Sequence, residues 1–127
     1  MPCNFHGQPV QNLILIERMV ILQFCEEKGG YLTEIMSKTK QTNINALLNS
    51  DLAYWIGLSD VAMEEKFVWQ HSSCPLGDYT NWGRNEPDGG RSENCVILWP
   101  LYNWGWADIS CGYLSIGGRD VHAICQN

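Results

Sequence analysis

The 127-residue sequence has no run of lysine or arginine, and its 8 basic residues are outnumbered by 14 acidic ones, which gives a net charge of −6. Binding to the phosphate backbone requires clustered positive charge, so a nucleic-acid partner is not expected. The longest apolar run, residues 13–22, is interrupted by Glu17 and Arg18 and is shorter than the roughly 20 residues of a membrane-spanning helix. We therefore expect no insertion into a membrane.

The sequence also lacks a Cys-x-x-Cys pair, which argues against a zinc knuckle or a redox motif. Its cysteines form an even set that extends from one end of the chain to the other: Cys3, Cys25, Cys74, Cys95, Cys111 and Cys125. Disulfides in an oxidising compartment, and hence a secreted, extracellular protein, fit such a set best. Six cysteines allow about 15 pairings, and spacing alone does not choose among them. Residues 1–3 do not open like a signal peptide, so we expect a secretion signal to be removed or absent from this sequence.

Hydrophobic periodicity predicts two helices followed by several short strands. Helical spacing of apolar residues predicts a first helix near residues 17–28, ended by Gly29-Gly30, and a second near residues 39–49. An alternating pattern indicates a short extended piece at 31–35. Apolar and β-prone segments predict strands at 13–16, 54–58, 67–69, 95–99, 106–111 and 122–125. This order indicates a single α+β domain over residues 1–127, with an antiparallel sheet.

Residues 82–111 concentrate acidic and aromatic side chains between glycines and two cysteines. The carboxylates of this segment are Glu86, Asp88, Glu93 and Asp108. Carboxylates that are brought together repel one another and raise one another's pKa values, so something positive has to balance them. The segment is therefore predicted to be a long functional loop, whose charge is balanced by a bound cation or by Arg84 or Arg91; the alternative is a solvated acidic loop without a bound ion.

Six ordered motifs resemble those of the C-type lectin-like domain over about residues 17–126. They are residues 24–32, 54–60 and 79–82, Glu86-Pro87-Asp88, Glu93-Asn94-Cys95, and Trp106-Ala107-Asp108 followed by Cys111 and Cys125. The resemblance implies the C-type lectin-like fold, with two helices, antiparallel sheets and a long stapled loop region. It also implies the disulfides Cys25–Cys125 and Cys95–Cys111. Cys3 and Cys74 would then pair with each other or bridge to another subunit.

The same resemblance implies a sugar-binding site on the long loop. In sugar-binding members of the family, the matching residues hold a calcium ion that also coordinates two sugar hydroxyls. The residues expected to bind metal and carbohydrate here are Glu86, Asp88, Glu93 and Asp108. Pro87 would follow a cis peptide bond, and at most one calcium is expected. The aromatic candidates for stacking on the sugar are Trp104, which we expect to contact carbohydrate, and Trp82, Trp99 and Tyr102.

Two departures from the family pattern fall within this site. Ala107 stands where the family has asparagine, so one ligand oxygen and one amide donor are missing. The tripeptide Glu86-Pro87-Asp88 combines the glutamate of mannose-type members with the aspartate of galactose-type members. It therefore does not specify the class of sugar.

The leading prediction is a secreted carbohydrate-binding lectin of innate recognition, with calcium dependence an open question. One alternative is a lectin-like module for protein recognition, which the loss of the amide at Ala107 motivates. Another is a calcium-independent sugar binder in which Arg84 or Arg91 replaces the metal. No enzyme is expected, since Glu86 and Glu93 lack any further catalytic group. The expected partners are glycans or monosaccharides and a second copy of the chain, disulfide-linked or non-covalent, which would supply avidity.

Overall fold

The structure, a computed structural model, describes residues 3, 14–16, 25–89, 92–113 and 115–127. Its strands are β1 (Ile14–Ile16), β2 (Tyr31–Leu32), β3 (Ala53–Ser59), β4 (Val68–Trp69), β5 (Cys95–Trp99), β6 (Gly105–Ile109), β7 (Ser115–Ile116) and β8 (Arg119–Gln126). They form one sheet whose main path runs β1-β8-β3-β5-β6. Strands β2 and β7 also pair with β8, and β4 pairs with β3.

The α+β fold predicted from the sequence is confirmed, with one refinement in the sheet. Strand β3 runs parallel to β8, whereas the other strand pairs are antiparallel, so the sheet is mixed. Each predicted strand has a counterpart. The sequence did not predict β7, a two-residue strand that turns back into β8 through Gly117 and Gly118, both with positive φ.

One complete α-helix, α1 (Lys38–Asn45), lies within the described residues, together with a short 3-10 helix at Pro100–Tyr102. Ser37 caps it, because its hydroxyl accepts a hydrogen bond from the backbone N–H of Lys40 at 3.2 Å. The helix ends four residues earlier than predicted, and Leu47, which was assigned to its apolar face, is exposed. Of the helix predicted at 17–28, residues 25–27 are helical, and residues 17–24 lie outside the described part. No described helix has the length and apolarity needed to cross a membrane.

The apolar core lies on both faces of the sheet, because every residue of β3 is buried. Successive side chains of a strand point to opposite faces. Accordingly, Trp55 packs in one cluster with Ile97 and Ile109, whereas Tyr54 packs in a second cluster on the other face. Trp55, Trp69 and Trp106 are all fully buried and form the bulk of the aromatic core.

Three disulfides tie distant parts of the chain together. Cys25–Cys125 joins the end of the amino-terminal helix to β8, and Cys95–Cys111 joins the start of β5 to the segment after β6. Both are pairings that the resemblance implied. Cys3 pairs with Cys74, so the alternative left open by the sequence is decided in favour of an internal bond, and no cysteine is free.

Candidate functional site

The acidic loop is attached to β6 by backbone hydrogen bonds on both sides of Trp106. The N–H of Trp106 donates to the carbonyl oxygen of Asn81 at 2.7 Å, and the N–H of Gly83 donates to the carbonyl oxygen of Trp106 at 2.8 Å. Because Asp108 lies two residues further along β6, this pairing brings the start of the loop close to its carboxylate.

Asp108 then holds the loop itself. Its Oδ1 accepts a hydrogen bond from the N–H of Asp88 at 2.9 Å, and its Oδ2 accepts one from the N–H of Gly89 at 3.0 Å. The side chain is only 4% exposed. Between these contacts and Gly83, the Glu86–Pro87 bond is cis, as the resemblance implied. The buried carboxylate therefore fixes the turn that carries Asp88.

Three of the predicted site residues are brought together. Glu86, Asp88 and Asp108 each offer a carboxylate oxygen, and these atoms all lie within 4.8 Å of one another. Oε1 of Glu86 is buried and has no hydrogen-bond partner among the described residues. Burial, followed by the Asp108 carboxylate and the negative charge of Asp88, raises the pKa of Glu86 to about 8. The negative charge of these carboxylates is therefore not balanced by a positive group among the described residues.

Glu93 lies beside this cluster but is not one of the three converging residues. Its side chain covers Gly89 so closely that a Cβ at that position would overlap it. Burial raises the pKa of Glu93, and the charges of Asp108 and Asp88 raise it further. Glu93 therefore contributes to the negative potential of the cluster.

The carboxylates form one side of a cleft of about 270 Å³. The other side is apolar, which the sequence analysis did not predict. The lining residues are Glu86, Asp88, Glu93 and Asp108 on the acidic side, and Ile97, Trp99, Tyr102, Ala107, Ile109 and Ile116 on the apolar side. The sequence did contain a signal for this apolar side. Side chains alternate between the two faces of β5 and β6, which places Ile97, Ala107 and Ile109 on a common face.

Two aromatic candidates line the cleft. The ring of Tyr102 packs so tightly on Gly83 that a Cβ there would overlap it, and the residue is 37% exposed. The guanidinium of Arg119 lies 5.4 Å from the ring centroid of Trp99. Both rings are thereby held in defined positions beside the carboxylates.

The other two aromatic candidates lie elsewhere. The ring centroid of Trp104 is 5.8 Å from that of Tyr54, and Trp104 is not among the described residues that line the cleft. Trp82 packs edge-on against Phe67 and Trp106, at 5.0 and 5.5 Å between ring centroids. Both tryptophans therefore support the fold in this structure.

Ala107 lies at the point where the acidic and apolar sides meet. It is 6% exposed and pairs with Ile97 across the β5–β6 ladder. Its methyl group supplies neither a ligand oxygen nor an amide donor. The polar contacts available at this position in the family pattern are therefore absent.

The alternative in which an arginine replaces the metal has one described candidate, Arg84. This residue is exposed, and no cation is among the causes that shift the pKa values of Glu86 and Glu93. Arg91 lies outside the described residues. Among the described residues, therefore, no arginine balances the charge of the cluster.

Comparison with known proteins gives a consistent family match. A family model for the lectin C-type domain matches residues 20–116. Salivary C-type lectin 2 of Aedes albopictus is 34% identical over 102 residues, which cover 71% of this chain and 67% of that protein. The low affinity immunoglobulin epsilon Fc receptor of Mus musculus is 38% identical over 104 residues, which cover 80% of this chain but only 30% of the receptor.

A solved structure shares the architecture. The C-type carbohydrate-recognition domain of cow CD23, crystallised in the presence of a GlcNAc2Man3 oligosaccharide, superposes with a TM-score of 0.74 at 30% sequence identity. The match covers 89% of this chain and 84% of the bovine one. The arrangement of strands, helices and loop is therefore shared with a domain of known sugar-binding type.

Proposed function

The chain belongs to the C-type lectin family, whose domain binds carbohydrate and is not an enzyme, and on that premise we propose that it is a secreted lectin with a calcium-dependent sugar site. The site is the cleft beside Glu86, Asp88 and Asp108. The convergence of these three carboxylates within 4.8 Å is the observation that carries the proposal. Residues 1–127 would act as one carbohydrate-recognition domain.

The donor set fits a hard cation. Calcium takes about 6–8 oxygen ligands, several of them carboxylates, and the three side chains offer oxygens only. The partnerless, buried Oε1 of Glu86 is an acceptor that a cation would satisfy. Burial raises the pKa of Glu86, and the neighbouring carboxylates of Asp108 and Asp88 raise it further, because crowded carboxylates without a counter-ion disfavour the ionised form. One calcium ion accounts for this set.

Each residue has a separate task in the proposed site. Glu86 and Asp88 project from the loop toward the ion, and Asp108 both contributes an oxygen and holds the loop through two backbone N–H groups. Glu93 closes the acidic side and accepts hydrogen bonds from sugar hydroxyls. When bound, calcium would offset part of the negative charge of the cluster and accept sugar hydroxyl oxygens as additional ligands.

The apolar side of the cleft supports binding of the sugar ring itself. Trp99 and Tyr102 are held beside the carboxylates, where their faces can stack on the C–H groups of a sugar. Because Ala107 offers no amide donor, the site discriminates between sugars through carboxylates that accept hydrogen bonds from sugar hydroxyls and through aromatic contacts. We infer that Tyr102 and Trp99 replace Trp104 as the stacking residues.

A second candidate function is recognition of a protein through the same cleft. The observation that favours it is the exposed apolar pair Leu101 and Tyr102, which are 68% and 37% exposed. Exposed apolar side chains that lie together mark candidate interaction surfaces. Binding of a protein partner that is insensitive to both sugar and chelator would favour this function.

We infer an extracellular setting, because three intrachain disulfides fit an oxidising compartment. A role in innate recognition is part of the same proposal. Because no cysteine is free, a homodimer that supplies avidity would be non-covalent. The matched residues cover 67% of the mosquito protein and 62% of the perlucin-like protein of Mytilus galloprovincialis.

A glycan array tests the proposed function. The parent protein is applied with calcium and with chelator, beside Asp108→Asn and the control Glu27→Gln, which removes an exposed carboxylate away from the cleft. We expect the parent and the control to bind glycans only with calcium, and Asp108→Asn to lose binding. Equal binding of the parent and Asp108→Asn would exclude the proposed site.

A further inference from the structure

A second cleft, of about 260 Å³, lies between β2 and the turn that follows β4. Its lining residues are Glu26, Gly30, Tyr31, Leu32, Gln70 and His71, and none of them lines the acidic cleft. Pockets for drug-sized ligands start at about 300 Å³, so this cleft has the size for one small ring. It contains both aromatic and polar groups, the combination that small-molecule sites require.

A buried carboxylate holds the turn in place. Glu34 is 2% exposed, and its Oε2 accepts hydrogen bonds from the backbone N–H groups of His71 at 2.8 Å and Ser72 at 3.2 Å. The N–H of Ser73 donates to the carbonyl oxygen of Trp69 at 2.9 Å, and Cys74 is anchored by its disulfide. The turn that presents His71 is therefore fixed before any ligand binds.

The two aromatic rings of the cleft stack face to face. The centroids of Tyr31 and His71 are 3.7 Å apart, and their planes differ by 4°. Tyr31 belongs to β2, which is paired with β8, so it supports the ring of His71 from a fixed strand. The outer face of the exposed His71, backed by Tyr31, is therefore the platform left for the apolar C–H face of a pyranose.

Polar groups flank the platform. Nε2 of Gln70 donates to Oγ of Ser59 at 2.5 Å and to the carbonyl oxygen of Val68 at 3.3 Å. These two bonds orient the amide. Glu26 adds an exposed carboxylate. Both groups are acceptors for sugar hydroxyls.

We propose that this cleft is a second carbohydrate site, which binds one pyranose residue without a metal ion. The ring stacks on the outer face of His71, which Tyr31 backs, and its hydroxyls donate to Glu26 and to Oε1 of Gln70. The lining includes no lysine or arginine, whereas Glu34 lies behind it, so the site disfavours sugars that carry a carboxylate. Two sites on one domain would increase the avidity for a branched glycan.

Nuclear magnetic resonance titrations in the presence of chelator test the second site. Backbone amide shifts are followed while methyl glycosides of glucose, mannose and galactose are added in turn, with glucuronic acid as the anionic probe. We expect saturable shifts at Tyr31, Gln70 and His71 with at least one neutral glycoside, and weaker binding of glucuronic acid. Shifts confined to Gly89 and Asp108 would place sugar at the acidic cleft alone and overturn the proposal.

Two substitutions of the exposed His71 separate stacking from a general structural effect. His71→Ala removes the ring on which the sugar stacks and should weaken binding about fivefold or more, whereas His71→Phe keeps an aromatic ring and should retain binding. Glu27→Gln, outside both clefts, is the control and should bind like the parent. Unchanged affinity of His71→Ala, or the absence of saturable shifts with all three glycosides, would overturn the proposal.

Discussion

The backbone N–H of Asp88 donates to Oδ1 of Asp108 at 2.9 Å, although 20 residues separate them along the chain. Through this bond a buried strand residue determines where an exposed loop carboxylate lies. The neighbouring N–H of Gly89 occupies Oδ2 of the same side chain, so the loop is held at two points. The acidic cluster is therefore preorganised by the sheet, and its unbalanced charge is a property of the fold.

The first prediction concerns how the free energy of unfolding changes between pH 4.5 and about 8 when chelator is present. The folded protein raises the pKa of Glu86 from about 4.5 to about 8, mainly through burial, so it keeps a proton that the unfolded chain loses in this window. The free energy of unfolding should therefore fall as the pH rises from 4.5 to 8.

Urea denaturation at a series of pH values measures this slope. Glu86→Gln cannot ionise and should show a shallower fall, and it should be more stable than the parent above pH 8. Glu27→Gln should keep the slope of the parent. The same slope in Glu86→Gln and the parent would show that Glu86 is not the responsible group.

A second prediction concerns the free energy of unfolding above about pH 8, which depends on Lys40. This side chain is fully buried, and its Nζ donates to the carbonyl oxygen of Glu34 at 2.8 Å and to Oε1 of Gln126 at 2.5 Å. Burial lowers the pKa of Lys40 to about 8, although the charge of Glu34 opposes the shift. The folded protein therefore releases this proton between pH 8 and 10.5, whereas the unfolded chain keeps it.

Stability should consequently rise with pH over that interval, which produces a minimum near pH 8 in chelator. In Lys40→Met the new side chain has a similar length and no titrating group. The substitution should therefore abolish the rise in stability above about pH 8 and leave the fall below that pH unchanged. The exposed Lys38 provides the matched control, Lys38→Met. A rise that persists in Lys40→Met would contradict the assignment.

The third prediction is that Ala107→Asn lowers the stability of the protein and raises its affinity for calcium. Ala107 is buried beside Ile97, so an amide without a partner there should cost about 1–3 kcal/mol of unfolding free energy in chelator. The added ligand oxygen should tighten calcium binding about tenfold, equivalent to about 1.4 kcal/mol.

Ala107→Leu has the shape of asparagine without its polar atoms and is the matched control. It should show the packing effect without any gain in calcium affinity. Calorimetric titration of both variants with calcium measures the difference. Equal affinities for the two would mean that position 107 does not face the ion.

The fourth prediction compares two disulfides with different roles. Cys95–Cys111 spans 16 residues and encloses the hairpin that carries Asp108, so replacing both cysteines with serine should cost about 3 kcal/mol and weaken calcium binding. Cys3–Cys74 spans 71 residues, and its loss should cost about 4 kcal/mol. Because it lies away from the acidic cluster, calcium affinity should not change. Thermal or urea unfolding together with calcium titration distinguishes the two, and equal losses of affinity would contradict the predicted difference.

The sequence was sufficient to predict every described strand except β7 and to identify the acidic loop, because both depend on local patterns. Apolar, β-prone segments defined β3 and β5, and the tripeptide around Pro87 identified the loop. It did not predict that β3 and β8 are parallel, since strand direction depends on the path of the chain between them. The partner of Cys3 was undetermined for the same reason.

The aromatic residues show where local reasoning fails. Trp104 was expected at the sugar, but Asn103 and Trp104 both have positive φ, and the ring of Trp104 packs near Tyr54. His71 had no distinguishing feature in the sequence. Its stacking on Tyr31 depends on Glu34, which is 37 residues away from His71 and binds the backbone of the turn. The positions of Trp104 and His71 both depend on contacts between distant parts of the chain, which the local sequence does not reveal.

The most direct test of the central claim is isothermal titration of the chelator-treated protein with calcium. Three converging carboxylates with no described cation beside them predict saturable binding of one calcium ion per chain, which Asp108→Asn abolishes and Glu27→Gln leaves intact. The absence of any heat of binding in the parent protein would contradict the claim that the acidic cleft is a calcium site.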